Sequence, residues 1–325
     1  MILRGIDFGK ALCASGARNF FGEGWWYHRF FHWMGLSYQG STLVAKTTTL
    51  EARQGNMLVE GTKPMLLFPS CVKVAFWKGI VLNAVGLSGP GARWLFQKGI
   101  WYERKEPFFL SFMSVENTLK GRAIETQRFM DLLGSFMPFK APIGLQMNFS
   151  CPNVGIDPAS LTDEMGKALD IAKALNIPVV PKINATFPLE PIIALQDHEA
   201  FDALSVSNTI PWGKLPEEIP WSKLWGSETS PLAEFGGGGL SGKPLLPIVT
   251  RYIENLRECG FRKPIIGGGG ILSKGDADKM LDAGADAVEL GSVSILRPWR
   301  VQRIIDHVNR RGTNGSRGHV KKEPS

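Results

Sequence analysis

What the chain lacks narrows it first. No stretch approaches ~18 consecutive apolar residues, the length a helix needs to cross a bilayer. The start, Met1-Ile-Leu-Arg-Gly-Ile-Asp7, has none of the basic-then-apolar layout of a secretory signal. Cysteine is scarce: Cys13, Cys71, Cys151 and Cys259 stand far apart, and no CxxC pair occurs. A disulfide scaffold and a thiolate metal framework are thereby disfavoured. A reducing, cytoplasmic setting is expected, with no metal and no membrane partner. No GxGxxG follows the first strand-like segment, which argues against an open dinucleotide-binding sheet.

Positive charge is in excess, at a formal +7, but it is unevenly placed. From Asn309 onward Arg310, Arg311, Arg317, Lys321 and Lys322 face a single acid, Glu323, a net +4. More than half of the excess thus sits in a Gly/Ser-containing end, residues 309–325, expected to be a disordered basic tail. What is left suits small anionic ligands, and no nucleic acid is expected as a partner.

At 325 residues with 44% hydrophobic content, the chain can bury one large core. Strand-like segments occur at Thr42–Thr48, Gly79–Leu82, Pro107–Ser114, Pro142–Met147, Ile177–Ile183, Ala203–Ser207, Pro264–Gly268 and Ala285–Leu290. Helical patterns fall between several of them, at Ser160–Leu175, Leu245–Cys259, Ser273–Asp282 and Arg297–Arg310. Eight strands with intervening helices predict a (β/α)8 TIM barrel, a single α/β domain over residues 1–308. An aromatic cluster from Phe20 to Trp33 is expected to serve as a buried lid or subunit contact.

A barrel carries its site at the C-terminal strand ends. Those ends hold Lys46 with Thr47, Asn83, Asn148 with Cys151 and Asn153, Lys182, Asn208, Gly269-Gly270 and Gly291-Ser292. The stretch Met147-Asn-Phe-Ser-Cys-Pro-Asn-Val154 is the densest, with two amides flanking a thiol. Each Asn offers a donor and an acceptor, so the pair can read a flat ligand rich in carbonyl and imide groups. A lone cysteine in a strand-to-loop turn is more often just buried. Amides, lysines and glycine turns on nearly every other strand end outweigh that. Two glycine turns, Pro264–Ile271 and Val288–Ser292, close the series. Consecutive turns of this kind predict a phosphate held by backbone N–H groups. The run Gly236–Gly242 is expected along a ligand face.

With these residues assembled, the chain resembles the dihydroorotate dehydrogenases, flavin-mononucleotide TIM barrels, over about residues 5 to 305. The resemblance rests on Ala45-Lys-Thr-Thr-Thr49 with Gly55-Asn56, Asn83-Ala-Val-Gly-Leu87, Asn148-Phe-Ser-Cys-Pro-Asn153, Ser207-Asn-Thr209, Gly238-Gly-Leu-Ser-Gly242 and Ile266-Gly-Gly-Gly-Gly-Ile271. It implies FMN as cofactor and oxidation of dihydroorotate to orotate, in pyrimidine biosynthesis. Cys151 is then the base that removes the C5 proton, and the flavin N5 takes the C6 hydride. The resemblance puts Lys46, Asn83, Gly86, Leu87, Asn148, Asn153, Asn208 and Thr209 against the substrate. Lys46 would lie where substrate and flavin meet. Around the flavin it puts Ala14, Ser15, Gly16, Lys46, Thr47, Asn148, Lys182, Ser207 and Gly242, with Gly269, Gly270, Gly291 and Ser292 at its phosphate.

Cysteine at position 151 resembles the class 1 enzymes, and a homodimer is implied. Class 1 divides into fumarate users and forms that pass electrons to NAD through an iron–sulfur electron-transfer subunit. Met57-Leu-Val-Glu60 and Lys182-Ile-Asn-Ala-Thr186 depart from the family pattern, which leaves acceptor and subunit contacts open. Asn153-Val-Gly-Ile-Asp-Pro158 leans toward the NAD-linked form. Two flavin enzymes are the rivals. A tRNA-dihydrouridine synthase would suit the basic tail but carries an RNA-binding domain beyond the barrel. A dihydropyrimidine dehydrogenase-like enzyme places His where Asn153 stands and acts on bases without a carboxylate.

Overall fold

The computed structural model describes residues 1–149 and 158–314. Eight strands close into a parallel barrel in chain order. They are β1 (Ala11–Cys13), β2 (Thr42–Val44), β3 (Phe108–Phe112), β4 (Ile143–Asn148), β5 (Val179–Ile183), β6 (Leu204–Val206), β7 (Ile265–Gly268) and β8 (Ala287–Leu290). Each pairs in parallel with the next, and β8 returns to β1 with Val288 opposite Ala11.

The two-residue period of a strand decides what lies inside. On β4, Leu145 and Met147 pack outward against the helices, which leaves Gln146 and Asn148 to the interior. On β5, Val179 and Ile183 face the helices while Val180 faces in, and Lys182 shares its phase. On β8, Val288 and Leu290 are outward and Ala287 inward, so Glu289 is inward as well. The lower interior is apolar: Leu12, Val44, Phe109, Val180, Ile266 and Ala287 form one cluster. A hairpin of Ile2–Leu3 and Ile6–Asp7 closes it from below. Leu3 and Phe8 join that cluster, with the Phe8 ring tilted against Phe109 at 4.2 Å. The upper interior is polar, and there the site lies.

The sequence reading differs from the fold at three places. Gly79–Leu82 was expected in the barrel, but this segment forms the strand Ile80–Asn83 of a separate antiparallel sheet. That sheet runs Ile210–Pro211, Gly239–Gly242, Ile80–Asn83, Val72–Ala75. The barrel's remaining strand is β1, from the opening segment. A four-residue apolar run reads the same in either sheet. The tail was expected to begin at Asn309, yet the last helix runs Val301–Asn314. Ile304, Ile305 and Val308 are buried in the core. Asn309 Nδ2 donates to Gly40 O at 2.8 Å, and Arg311 Nη1 pairs with Asp278 at 2.8 Å. Those contacts hold the first basic residues of the expected tail on the barrel. The aromatic cluster, third, is split. Phe20 and His28 are buried, whereas Phe30 and Trp33 are 63% and 82% exposed.

Candidate active site

The polar end of the barrel opens into a cavity of about 950 Å³. Ligand pockets run ~300–1,000 Å³, so this one has room for a cofactor and a small substrate together. Every described residue that the sequence singled out lines it. From the opening segment come Ala14, Ser15 and Gly16, from the β2 end Lys46 and Thr47, and from the antiparallel sheet and its loop Asn83, Gly86 and Leu87. Asn148, Lys182, Ser207, Asn208 and Thr209 line its middle, and Gly242, Gly269, Gly270, Gly291 and Ser292 its glycine end. Cys151 and Asn153 lie outside the described residues.

The amides are fixed before any ligand arrives. Asn148 Nδ2 donates to Ser111 Oγ at 2.9 Å and Thr47 Oγ1 at 3.2 Å. Its Oδ1 accepts from Asn208 Nδ2 at 3.4 Å, and Asn208 Oδ1 accepts from Thr209 N at 2.9 Å. Ser15 Oγ in turn accepts from Thr47 N at 2.8 Å. Four barrel strands and the opening loop are thus tied into one ladder, which costs a ligand little reorganisation. Gly86 and Leu87 have consecutive positive φ values of 71° and 59°. A leucine in that region is strained, and such strain gathers at ligand sites.

Two ammonium groups bracket the ladder. Lys46 is buried, donates to Ser88 O and sits 4.4 Å over the Phe20 ring. Burial pushes its pKa down to about 8, against a smaller opposing pull from Glu23. Lys182 Nζ pairs with Glu289 Oε2 at 2.8 Å, with side chains 6% and 1% exposed. Glu289 also accepts from Gln146 Nε2 at 2.9 Å and Ser205 Oγ at 3.3 Å. Sequence reading missed Glu289, Gln146 and Ser205. The signal was there: a lone acid inside Ala287-Val-Glu-Leu290, in phase with an inward alanine.

At the glycine end two loops touch. A Cβ on Gly270, whose φ is +75°, would sit 2.7 Å from Leu246 N and 2.9 Å from Gly242 O. One on Gly242 would sit 2.2 Å from Gly79 O. These two glycines are therefore required by the chain's own packing, which brings the run ending at Gly242 onto the β7 turn. Among the described residues, no loop hydrogen bond engages the N–H of Gly269, Gly270, Gly291 or Ser292. Those donors, in the cavity wall, have the chemistry to hold a phosphate. With the lysine, the amides and the volume, they fit a phosphorylated planar cofactor such as FMN.

The family model for dihydroorotate dehydrogenase matches residues 12–311. The chain belongs to the dihydroorotate dehydrogenase family. It is 29% identical to the catalytic subunit of dihydroorotate dehydrogenase B (NAD(+)) of Cutibacterium acnes, over 90% of this chain and 86% of that one. With the corresponding subunit from Oceanobacillus iheyensis it shares 32% over 73% of this chain and 74% of the other. It is also 30% identical to dihydroorotate dehydrogenase A (fumarate) of Lactobacillus delbrueckii subsp. bulgaricus, across 77% and 74%. Among solved structures, the dihydroorotate dehydrogenase of Eimeria tenella in complex with ferulenol superposes with a TM-score of 0.68. That match covers 96% of this chain and 84% of the other at 20% identity, and it bears on the fold alone. The closed parallel barrel is the dihydroorotate dehydrogenase fold, as the sequence led one to expect.

Proposed function

We propose that this chain oxidises dihydroorotate to orotate with bound FMN. The observation that carries this reading is the cavity itself: an amide ladder, Asn148 to Asn208, lies between Lys46 and Lys182, with the glycine turns beyond. When bound, FMN supplies a two-electron acceptor for the hydride leaving C6. Cys151 takes the proton from C5, and the electron pair left there becomes the C5–C6 π bond as the C6–H pair departs with the hydride. Lys46 neutralises the substrate carboxylate. Asn83, Asn148, Asn153 and Asn208 hold the imide edges of the ring, and Thr209 orders Asn208. Lys182 would hold the flavin ring, and its cation would favour the reduced form. Gly269, Gly270, Gly291 and Ser292 take the phosphate, and Ala14 to Gly16 the ring. A homodimer belongs to this reading, as does an iron–sulfur subunit if reoxidation is NAD-linked like that of the B-type relatives.

Anaerobic mixing of the FMN-loaded protein with dihydroorotate tests it, with flavin absorbance as the signal. Prompt bleaching is expected, and Cys151→Ala should keep the flavin and the ligand but lose nearly all of the reduction at neutral pH. Proton transfer by a positioned group contributes typically ~10²–10⁴-fold, which sets the scale of the loss. A variant reducing at the wild-type rate removes Cys151 from the role. Failure to bleach, with reoxidation of prereduced flavin by uracil or tRNA instead, replaces the substrate. Reoxidation by fumarate, or by NAD only with a partner, distinguishes the acceptors.

A further inference from the structure

The mouth of the cavity is ringed by apolar side chains that the reaction does not use. Trp26, Phe31, Leu67, Phe68, Phe76 and Trp299 line its outer part. Several of the same residues also face solvent: Phe68 is 81% exposed, Leu67 60% and Phe76 57%. The patch is continuous. Trp26 meets Phe30 and Phe68 edge-on at 6.0 and 5.3 Å, and Phe31 lies 6.0 Å from Trp299. Beyond the rim, Trp33 and Trp77 project still further, Trp77 with no cover at all. Water does not favour so many large apolar groups around one opening, and a patch of this kind marks an interaction surface.

Charge identifies the occupant. The chain has 30 acidic residues among 325, yet residues 24–50, 61–102 and 290–305 contain no Asp or Glu. These acid-free runs contain the rim residues. They do contain cations, with Arg29 and Lys63 exposed and Lys73 half-buried. Tryptophan and phenylalanine tips on segments whose only charged side chains are lysine, arginine and histidine form the pattern that inserts into a lipid interface and attracts anionic headgroups. We infer that this face docks peripherally on an anionic lipid bilayer, so that the cavity opens against the membrane surface. The sequence reading expected no membrane partner and took the aromatic run for a buried lid or subunit contact, so this inference departs from it; among the described residues no helix is long and apolar enough to cross a membrane.

Sedimentation of the purified full chain with sucrose-loaded vesicles tests this. Vesicles of phosphatidylcholine mixed with phosphatidylglycerol should bring the protein down, and added salt should release it. Phosphatidylcholine alone should bind far less. Trp33→Ser with Trp77→Ser, neither in the cavity wall, should weaken binding more than about tenfold while flavin occupancy and melting temperature hold. Arg29→Glu with Lys63→Glu should cost about fivefold or more per position on the anionic vesicles alone. The inference is overturned if anionic vesicles leave the chain in the supernatant, or if the tryptophan pair binds like the parent. It is equally overturned if the tryptophan changes instead disperse an oligomer on a sizing column, which would assign the face to a second copy. None of these readouts depends on dihydroorotate, so the docking face and the proposed reaction stand or fall separately.

Discussion

Replacing Glu289 by Gln removes one charge from a place water does not reach. The carboxylate is 2.8 Å from Lys182 Nζ, and both side chains are almost wholly buried. At an effective dielectric of ~20 that separation corresponds to about 6 kcal/mol of attraction. The variant also escapes the desolvation of a carboxylate, so the net loss falls to about 3–5 kcal/mol, the usual consequence of stripping one partner from a buried pair. Gln can restore hydrogen bonds but not the charge: its carbonyl can face Lys182 while its NH2 meets Gln146, whose Oε1 lacks a partner among the described residues. At ~2 °C per kcal/mol for a chain this long, the melting temperature should fall by roughly 6–10 °C. Scanning fluorimetry on the flavin-free protein reads this directly. The pair Lys182→Met with Glu289→Leu should recover much of the loss, giving a coupling above ~2 kcal/mol in the double-mutant cycle. If Glu289→Gln melts within 2 °C of the parent on the order of assay error, the ion pair is not holding the barrel interior together. The same variant should make bound flavin easier to reduce, because Lys182 would present an uncompensated charge.

Two further outcomes depend on pH. His28 is buried with its pKa lowered to about 4, first by desolvation, although its bond to Ser294 O opposes this. Below 6.5 the unfolded chain takes up the proton first, so stability should fall by roughly 3 kcal/mol as pH drops from 6.5 to 4. Denaturant midpoints across that window should slope accordingly, and His28→Gln should flatten the slope. Lys46 titrates near pH 8, so the affinity for orotate should fall by up to about tenfold per pH unit above that value. A pH-independent dissociation constant between 7 and 10, on the order of the neutral value throughout, would free Lys46 from the carboxylate role. The free protein should behave in the opposite sense. Its unfolded lysine keeps its proton to about 10.5, so the stability of the empty chain should rise between 8 and 10.5.

Much of this was legible in the residues. Seven of the eight expected strands are barrel strands, because buried parallel strands read as short apolar runs with polar ends. The eighth failed for the same reason: Ile80-Val-Leu-Asn83 has that signature too, and nothing local says that its neighbours are Val72–Ala75 and Gly239–Gly242. The missing strand, Ala11–Cys13, is three residues long and gave too little pattern to recognise. Strand-end logic found the cavity residues, since ends are fixed by position along the chain. It could not find Glu289, whose role depends on which way a mid-strand side chain points and on Lys182, 107 residues away. Nor could it separate Phe20, buried under Lys46, from Trp33, which projects into solvent.

The hairpin at the start of the chain has a kinetic meaning. With Leu3 and Phe8 closing the lower barrel, a molecule that enters from the top must leave by the same doorway. Where a diffusible oxidant uses the same space as the substrate, oxidised product has to depart before it can enter. Initial-rate plots at several fixed oxidant concentrations should then run as parallel lines. A cul-de-sac of this shape imposes turn-taking on its visitors, whatever their identity.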